Sequence, residues 1–153
     1  MKLAAFLLSA SALVLSACAT TPSAGGASAA SANLQETASL MVSVGQHSEG
    51  VSTADIADLS AQVDAQVAAA PNDPFVLKLA AQSRTTLADY AEDAAQKTSL
   101  RRKALAEFDK AISLSKSDTA SRIVKINGQD TEVDLKDITD LRAQLAATIA
   151  AGQ

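Results

Sequence analysis

From Asn33 onward, apolar positions recur at helical spacing. Leu34, Ala38, Met41 and Gly45 share one face and predict a first helix over about 33–44, with Gly45 as its stop. The polar stretch Gln46-His47-Ser48-Glu49-Gly50 predicts a loop. A second helix starts at Ser52, paired with Asp55 three residues on, a capping-box spacing that satisfies free N–H groups at the positive end of the helix. Its apolar stripe is Ile56, Leu59, Val63, Val67 and Ala70, and it ends at Pro71, whose ring cannot continue the hydrogen-bond ladder. Asp73 and Pro74 open a third helix with the stripe Val76, Ala80, Ser83, Leu87, Tyr90 and Ala94, running to about Ala95. A fourth follows over about 99–116, burying Leu105, Phe108 and Ile112. No Gly or Pro separates these two helices, so one long helix is the alternative. A break near Gln96–Thr98 sets Glu92 and Asp93 against the negative end of one dipole and Arg101–Lys103 against the positive end of the next, at about 0.3–1 kcal/mol each. Pairing of the two charge sets across the turn offsets this and favours the hairpin.

The last third changes period. Arg122-Ile123-Val124-Lys125-Ile126 is rich in β-branched residues, Asn127-Gly128 is a strong two-residue turn signal, and Gln129–Val133 returns. That turn sets Lys125 opposite Asp130. An isolated hairpin is marginal in water, so this one must lie against a helix. Asp134, with Asp137, caps a final helix with the stripe Ile138, Leu141, Leu145 and Ile149. The expected fold is mainly α: helical hairpins, then a short β-hairpin before a C-terminal helix.

The first 32 residues are of another kind. Met1-Lys2 precedes an apolar run through Leu3, Phe6, Leu7, Leu8, Leu13, Val14 and Leu15, interrupted by Ser9 and Ser11. It falls short of the roughly 20 apolar residues a membrane-spanning helix needs and has the layout of an export signal. It ends at Leu15-Ser16-Ala17-Cys18, which resembles the bacterial lipobox, in which two small residues admit the signal peptidase and the cysteine thiol carries a diacylglyceryl group. The resemblance implies a signal peptide over 1–17 and lipidation of Cys18. An ordinary secretory signal would leave an unpaired thiol in an oxidising compartment, which exported proteins generally avoid. Residues 18–32, rich in Ala, Ser, Thr, Gly and Pro, hold no apolar side chain larger than Ala beyond the cysteine. They read as a flexible linker whose roughly 14 residues reach about 20 Å. A single mostly helical domain then fills 33–153. In lipoproteins of Gram-negative bacteria, Asp directly after the cysteine typically retains the protein in the inner membrane. Ala19 stands there, implying the periplasmic face of the outer membrane.

Ala104-x3-Phe108-x2-Ala111 is similar to the second helix of a tetratricopeptide repeat, where small residues allow close helix approach and an aromatic fills the gap between repeats. Pro71-Asn72-Asp73-Pro74 resembles a junction between repeats. The likeness covers 71–115, less than a third of the chain. It lacks the bulky aromatic and Leu-Gly pair of the first helix, and Lys116 replaces the closing proline. Two alanine-rich helices packed by chance spacing give the same pattern. The stretch from Leu105 to Ile149 also resembles the αββα arrangement of phage head–tail joining proteins, a role that an export signal contradicts.

Composition narrows the chemistry. Thirteen Lys+Arg against 17 Asp+Glu give a net charge of −4, without the clustered basic face of a sequence-independent nucleic-acid binder. The single Cys precludes an intramolecular disulfide, and the single His leaves little scope for a histidine metal site. The six glycines form no phosphate-binding loop, and no G-x-S-x-G or H-E-x-x-H occurs. His47 as a general base has only Glu49 near it, and a solvated loop histidine fits better. Asp89, Glu92 and Asp93 as a cation site point only partly together on a helix, so a solvated face fits better. Arg101-Arg102-Lys103 either contact a partner, gripping a phosphate or a peptidoglycan carboxylate, or balance the acids across the turn. No catalytic residue, metal or cofactor is expected. Two functional classes follow: a lipid-anchored envelope module that docks a periplasmic protein, or a small-ligand-binding accessory of an envelope enzyme. A deep apolar cavity with converging polar groups is what would favour the second.

Overall fold

In a computed structural model, residues 25–46 and 51–152 are described. The signal peptide, Cys18, Ala19 and His47 lie outside the described residues. Five helices and one hairpin follow one another: α1 (Gly25–Gln46), α2 (Thr53–Ala69), α3 (Pro74–Tyr90), α4 (Ala94–Leu114), β1 (Ser121–Ile126), β2 (Gln129–Asp134) and α5 (Ile138–Ala150). The protein is mainly helical, with the β-hairpin before the C-terminal helix, as the periodicity implies.

The capping chemistry explains where the helices start. Ser52 and Asp55 form the full capping box, each side chain bonded to the other's backbone N–H. Asp73 accepts from the Phe75 N–H, with Pro74 in the first turn. Three boundaries differ from expectation. Helix α1 begins at Gly25, eight positions before Asn33, and runs through Gly45, so the expected flexible linker is helical from residue 25. Ala27, Ala29, Ala30 and Ala32 are strong helix formers, and extending a helix costs far less than nucleating one. The break between α3 and α4 falls at Ala91-Glu92-Asp93, not at 96–98. There the Asp93 side chain accepts from the Gln96 N–H as the N-cap of α4. Its charge therefore lies at the favourable end of the dipole, and the expected electrostatic conflict disappears. Finally, α5 has Asp137 at its N-cap without a side-chain bond, while Asp134 accepts from the Lys136 N–H and caps no helix.

Helix α3 is the centre of the molecule and packs against α1, α2 and α4. Phe75 through Ala81 are all buried, as are Ser83, Arg84, Leu87 and Ala88. A helix buried on every side carries apolar residues all round. Helix α4 returns antiparallel beside it, with Ala104, Phe108 and Ala111 buried, and α5 packs on α4. Leu105 and Ile112, expected in the core, are only partly buried at its edge.

The hairpin pairs in the expected register, Lys125 against Asp130, with their side chains 2.8 Å apart. Asn127 and Gly128 both have positive φ (52° and 81°), the conformation that a two-residue turn of right-handed twist requires. Val124 and Val133 face the core, beside α1. Arg122 fixes the other edge: its guanidinium lies 4.4 Å from the centre of the Phe75 ring and donates to Asp73.

The core is divided. One apolar cluster joins α1, the first half of α3, α4, the hairpin and α5. A second joins the end of α1, the start of α2, the end of α3 and Leu100. Arg84 on α3 and Arg101 on α4 lie at the boundary between these clusters along their helices.

Candidate functional site

The two buried arginines occupy very different settings. Arg84 is 1% exposed and hydrogen-bonded at each of its three nitrogens. Its Nε donates to both carboxylate oxygens of Glu107 (2.9 and 3.0 Å), Nη1 to Ser60 (3.0 Å) and Nη2 to Asp64 (2.6 Å). Lys103 adds a second cation on Asp64 at 3.2 Å. This network ties α2, α3 and α4 together. Burial pushes the Glu107 carboxyl above its ordinary value, and the guanidinium only partly offsets it. Partial burial also pushes Asp64 up, but Lys103 and Arg84 together bring it below its ordinary value.

Arg101, 7% exposed, is poorly provided for. Its Nη2 donates to Asp89 at 3.1 Å, while Nε and Nη1 are buried with no hydrogen-bond partner among the described residues. Buried polar groups of folded proteins are nearly always satisfied, and an unsatisfied buried donor costs roughly 1–3 kcal/mol, more when charged.

Arg101 lines a groove of about 310 Å³ where the second half of α3, α4 and α5 meet. Phe108, Leu141 and Leu145 supply an apolar wall. Gln82, Thr85, Thr86 and Asp89 from α3 and Gln144 and Thr148 from α5 supply the polar one. The threonine hydroxyls donate to carbonyls one turn back and accept no hydrogen bond among the described residues. The Gln82 and Gln144 amides make no hydrogen bond among the described residues. The groove thus carries one cation, one anion, two free amides and three hydroxyl acceptors beside an apolar surface.

The basic triplet does not form one patch. Successive helical residues point about 100° apart, so Arg101 turns to the groove, Arg102 to solvent and Lys103 to Asp64 on α2. Arg101 meets Asp89, one of the acids across the turn, whereas Lys103 finds a partner outside that set. Asp89, Glu92 and Asp93 do not converge: the first pairs with Arg101 and the last caps α4. Among the described residues no group of three His, Cys, Asp or Glu side chains has metal-binding geometry, and no helix is long and apolar enough to cross a membrane.

Sequence reasoning missed Arg84 and Lys78, the latter 7% exposed and bonded through Nζ to the Asp134 carbonyl (2.7 Å) and carboxylate (3.1 Å). The available signal was the run Phe75-Val76-Leu77-Lys78-Leu79-Ala80-Ala81, too continuously apolar for a half-exposed helix. Comparison of the chain with protein-family models, with curated proteins and with solved structures gives no match.

Proposed function

We propose that this protein is a lipid-anchored module of the bacterial envelope, held at Cys18 on the periplasmic face of the outer membrane, which binds a partner and catalyses nothing. The observation that carries this reading is Leu15-Ser16-Ala17-Cys18: the only cysteine of the chain stands where a lipobox places its modified residue, after an apolar export segment. The body that follows is acidic overall, so attachment relies on acyl chains and not on attraction to anionic lipid. Its helical hairpins, tetratricopeptide-like in the Ala104–Phe108–Ala111 spacing, present open grooves between rigid helices. Replacing Cys18 by Ser removes the thioether acceptor, so the protein should leave the membrane fraction or accumulate as precursor. Retention of the variant through a carbonate wash would refute the anchor. Ala19→Asp should move the protein toward the inner membrane, and unchanged fractionation would refute the destination alone.

The groove beside Arg101 is open and polar along one wall, not the deep apolar cavity expected of a ligand-binding accessory, but its polar lining supports that second reading, a protein that binds a small ligand for an envelope enzyme. Its volume stands at the low end of the roughly 300–1,000 Å³ of small-molecule sites, and charged and neutral polar groups converge on it.

A further inference from the structure

We infer that the α3–α4–α5 groove binds the free carboxyl end of a short peptide, with Arg101 taking the carboxylate. The inference deepens the ligand-binding reading and does not depend on the lipid anchor.

The argument begins with the charge. A guanidinium has five N–H donors, and Arg101 uses one nitrogen, on Asp89. The other two are buried and have no partner among the described residues. Asp89 is itself 60% exposed at its side chain, so water weakens its hold on the guanidinium. Because Nε and Nη1 are covered, a ligand anion must draw the head group outward into the groove. That exchange replaces one bond to a solvated acid by two to a planar carboxylate and frees the covered nitrogens from an unsatisfied position.

The remaining lining selects among anions. Arg101 is the only cation there and Asp89 opposes it, so a singly charged carboxylate suits the groove and a dianionic phosphate does not. A fatty acid needs a long apolar channel, whereas half of this lining is polar. A peptide end fits on each count. The Gln82 and Gln144 amides match the donor and acceptor of a peptide bond, Asp89 can accept a peptide N–H, and the wall of Phe108, Leu141 and Leu145 accommodates an apolar last side chain. The volume admits two or three small residues, not a folded segment.

The test uses the mature full-length protein in detergent micelles, titrated with acetyl-Ala-Leu while amide resonances are followed. Saturable shifts are expected at groove residues of α3 and α5. Acetyl-Ala-Leu amide, lacking the charge, should bind about tenfold more weakly, as should acetate, which lacks the peptide. Arg101→Gln should weaken the acid about tenfold and leave the amide unchanged, and Gln144→Leu should weaken both. Arg102→Gln, on the solvent side of α4, should bind as wild type. Should Arg101→Gln unfold the protein, the acid-to-amide ratio in wild type and the Gln144→Leu variant still decide. Equal binding of acid and amide, acetate binding as tightly as the peptide, or no saturable shift from a folded protein would each overturn the assignment. None of these outcomes bears on membrane retention of Cys18, which tests the anchored module separately.

Discussion

Arg84 and Arg101 lie on neighbouring helices, both buried at the boundary between the two apolar clusters, yet one is saturated and the other nearly bare. Arg84 donates to three side chains on two other helices and neutralises two carboxylates. Arg101 reaches a single exposed carboxylate. The difference separates two uses of a buried charge. A fully bonded guanidinium fixes the relative positions of α2, α3 and α4, because any sliding breaks several directional bonds at once. A poorly bonded one contributes little to holding the fold and keeps its donors for something else. The groove lies beside the second.

The largest expected effect comes from cutting the saturated side. Arg84→Ala leaves Glu107 buried without its cation and should cost about 3–5 kcal/mol in urea unfolding. The double variant Arg84→Met/Glu107→Leu, which removes both charges and keeps the volume, should recover most of that loss. A double variant as unstable as the single would mean that the helices are held by the shape of the guanidinium and not by its pairing.

Next in size are two pH effects of opposite sign. In the folded protein Glu107 is raised above its ordinary 4.5, so it binds a proton more readily there than in the unfolded chain. Its contribution is therefore full below about 4.5 and is lost as pH rises through the folded value. Asp64 is lowered from 3.8, so its contribution is present above 3.8 and lost as pH falls through the folded value. Comparing urea midpoints over pH 2–8, the advantage of wild type over Glu107→Gln should shrink from acid toward neutral pH, and that over Asp64→Asn should grow. Parallel curves for both variants would show that neither acid titrates differently on folding.

On the bare side the expectation reverses. Arg101→Met keeps the stem packing between α3 and α4, removes two unsatisfied donors and leaves Asp89 free to be solvated, so stability should fall by no more than about 1 kcal/mol, or rise. A loss comparable to that of Arg84→Ala would erase the distinction between the two sites.

How much of this contrast is written in the sequence depends on the range of the interaction. Capping boxes, the Asn127-Gly128 turn and the Lys125–Asp130 pair are local, and they were legible because each is decided within a few residues. Asp93 was misread for a related reason. A carboxylate at the end of one apolar stripe looks like the end of a helix, although it equally caps the next one. Gly25–Ala32 looked unstructured because burial was the only stabilising term considered, while alanine propensity carries α1 through it. Arg84 was not legible at all. Its partners lie 20 to 24 residues away on two other helices, and no periodicity reports that a charged position faces inward. Arg101 was singled out for being basic and assigned, together with Arg102 and Lys103, to one contact. Three consecutive helical residues cannot share one face, so that assignment was bound to fail for part of the triplet.

The smallest expected effect isolates the neighbour that the groove does not use. Arg102 is exposed and has no ion pair among the described residues, so Arg102→Gln should stay within about 0.5 kcal/mol of wild type in the same urea series. It shares its charge and stem with Arg101 and differs in direction, burial and the Asp89 contact. Its mutation therefore subtracts whatever a lost positive charge on α4 does to the protein as a whole. If Arg102→Gln and Arg101→Gln weaken acetyl-Ala-Leu binding equally, the peptide carboxylate is responding to the general field of α4. If only Arg101 matters, the response belongs to one guanidinium turned toward the groove. That pair of measurements separates the buried, groove-lining position of Arg101 from the positive charge the two share.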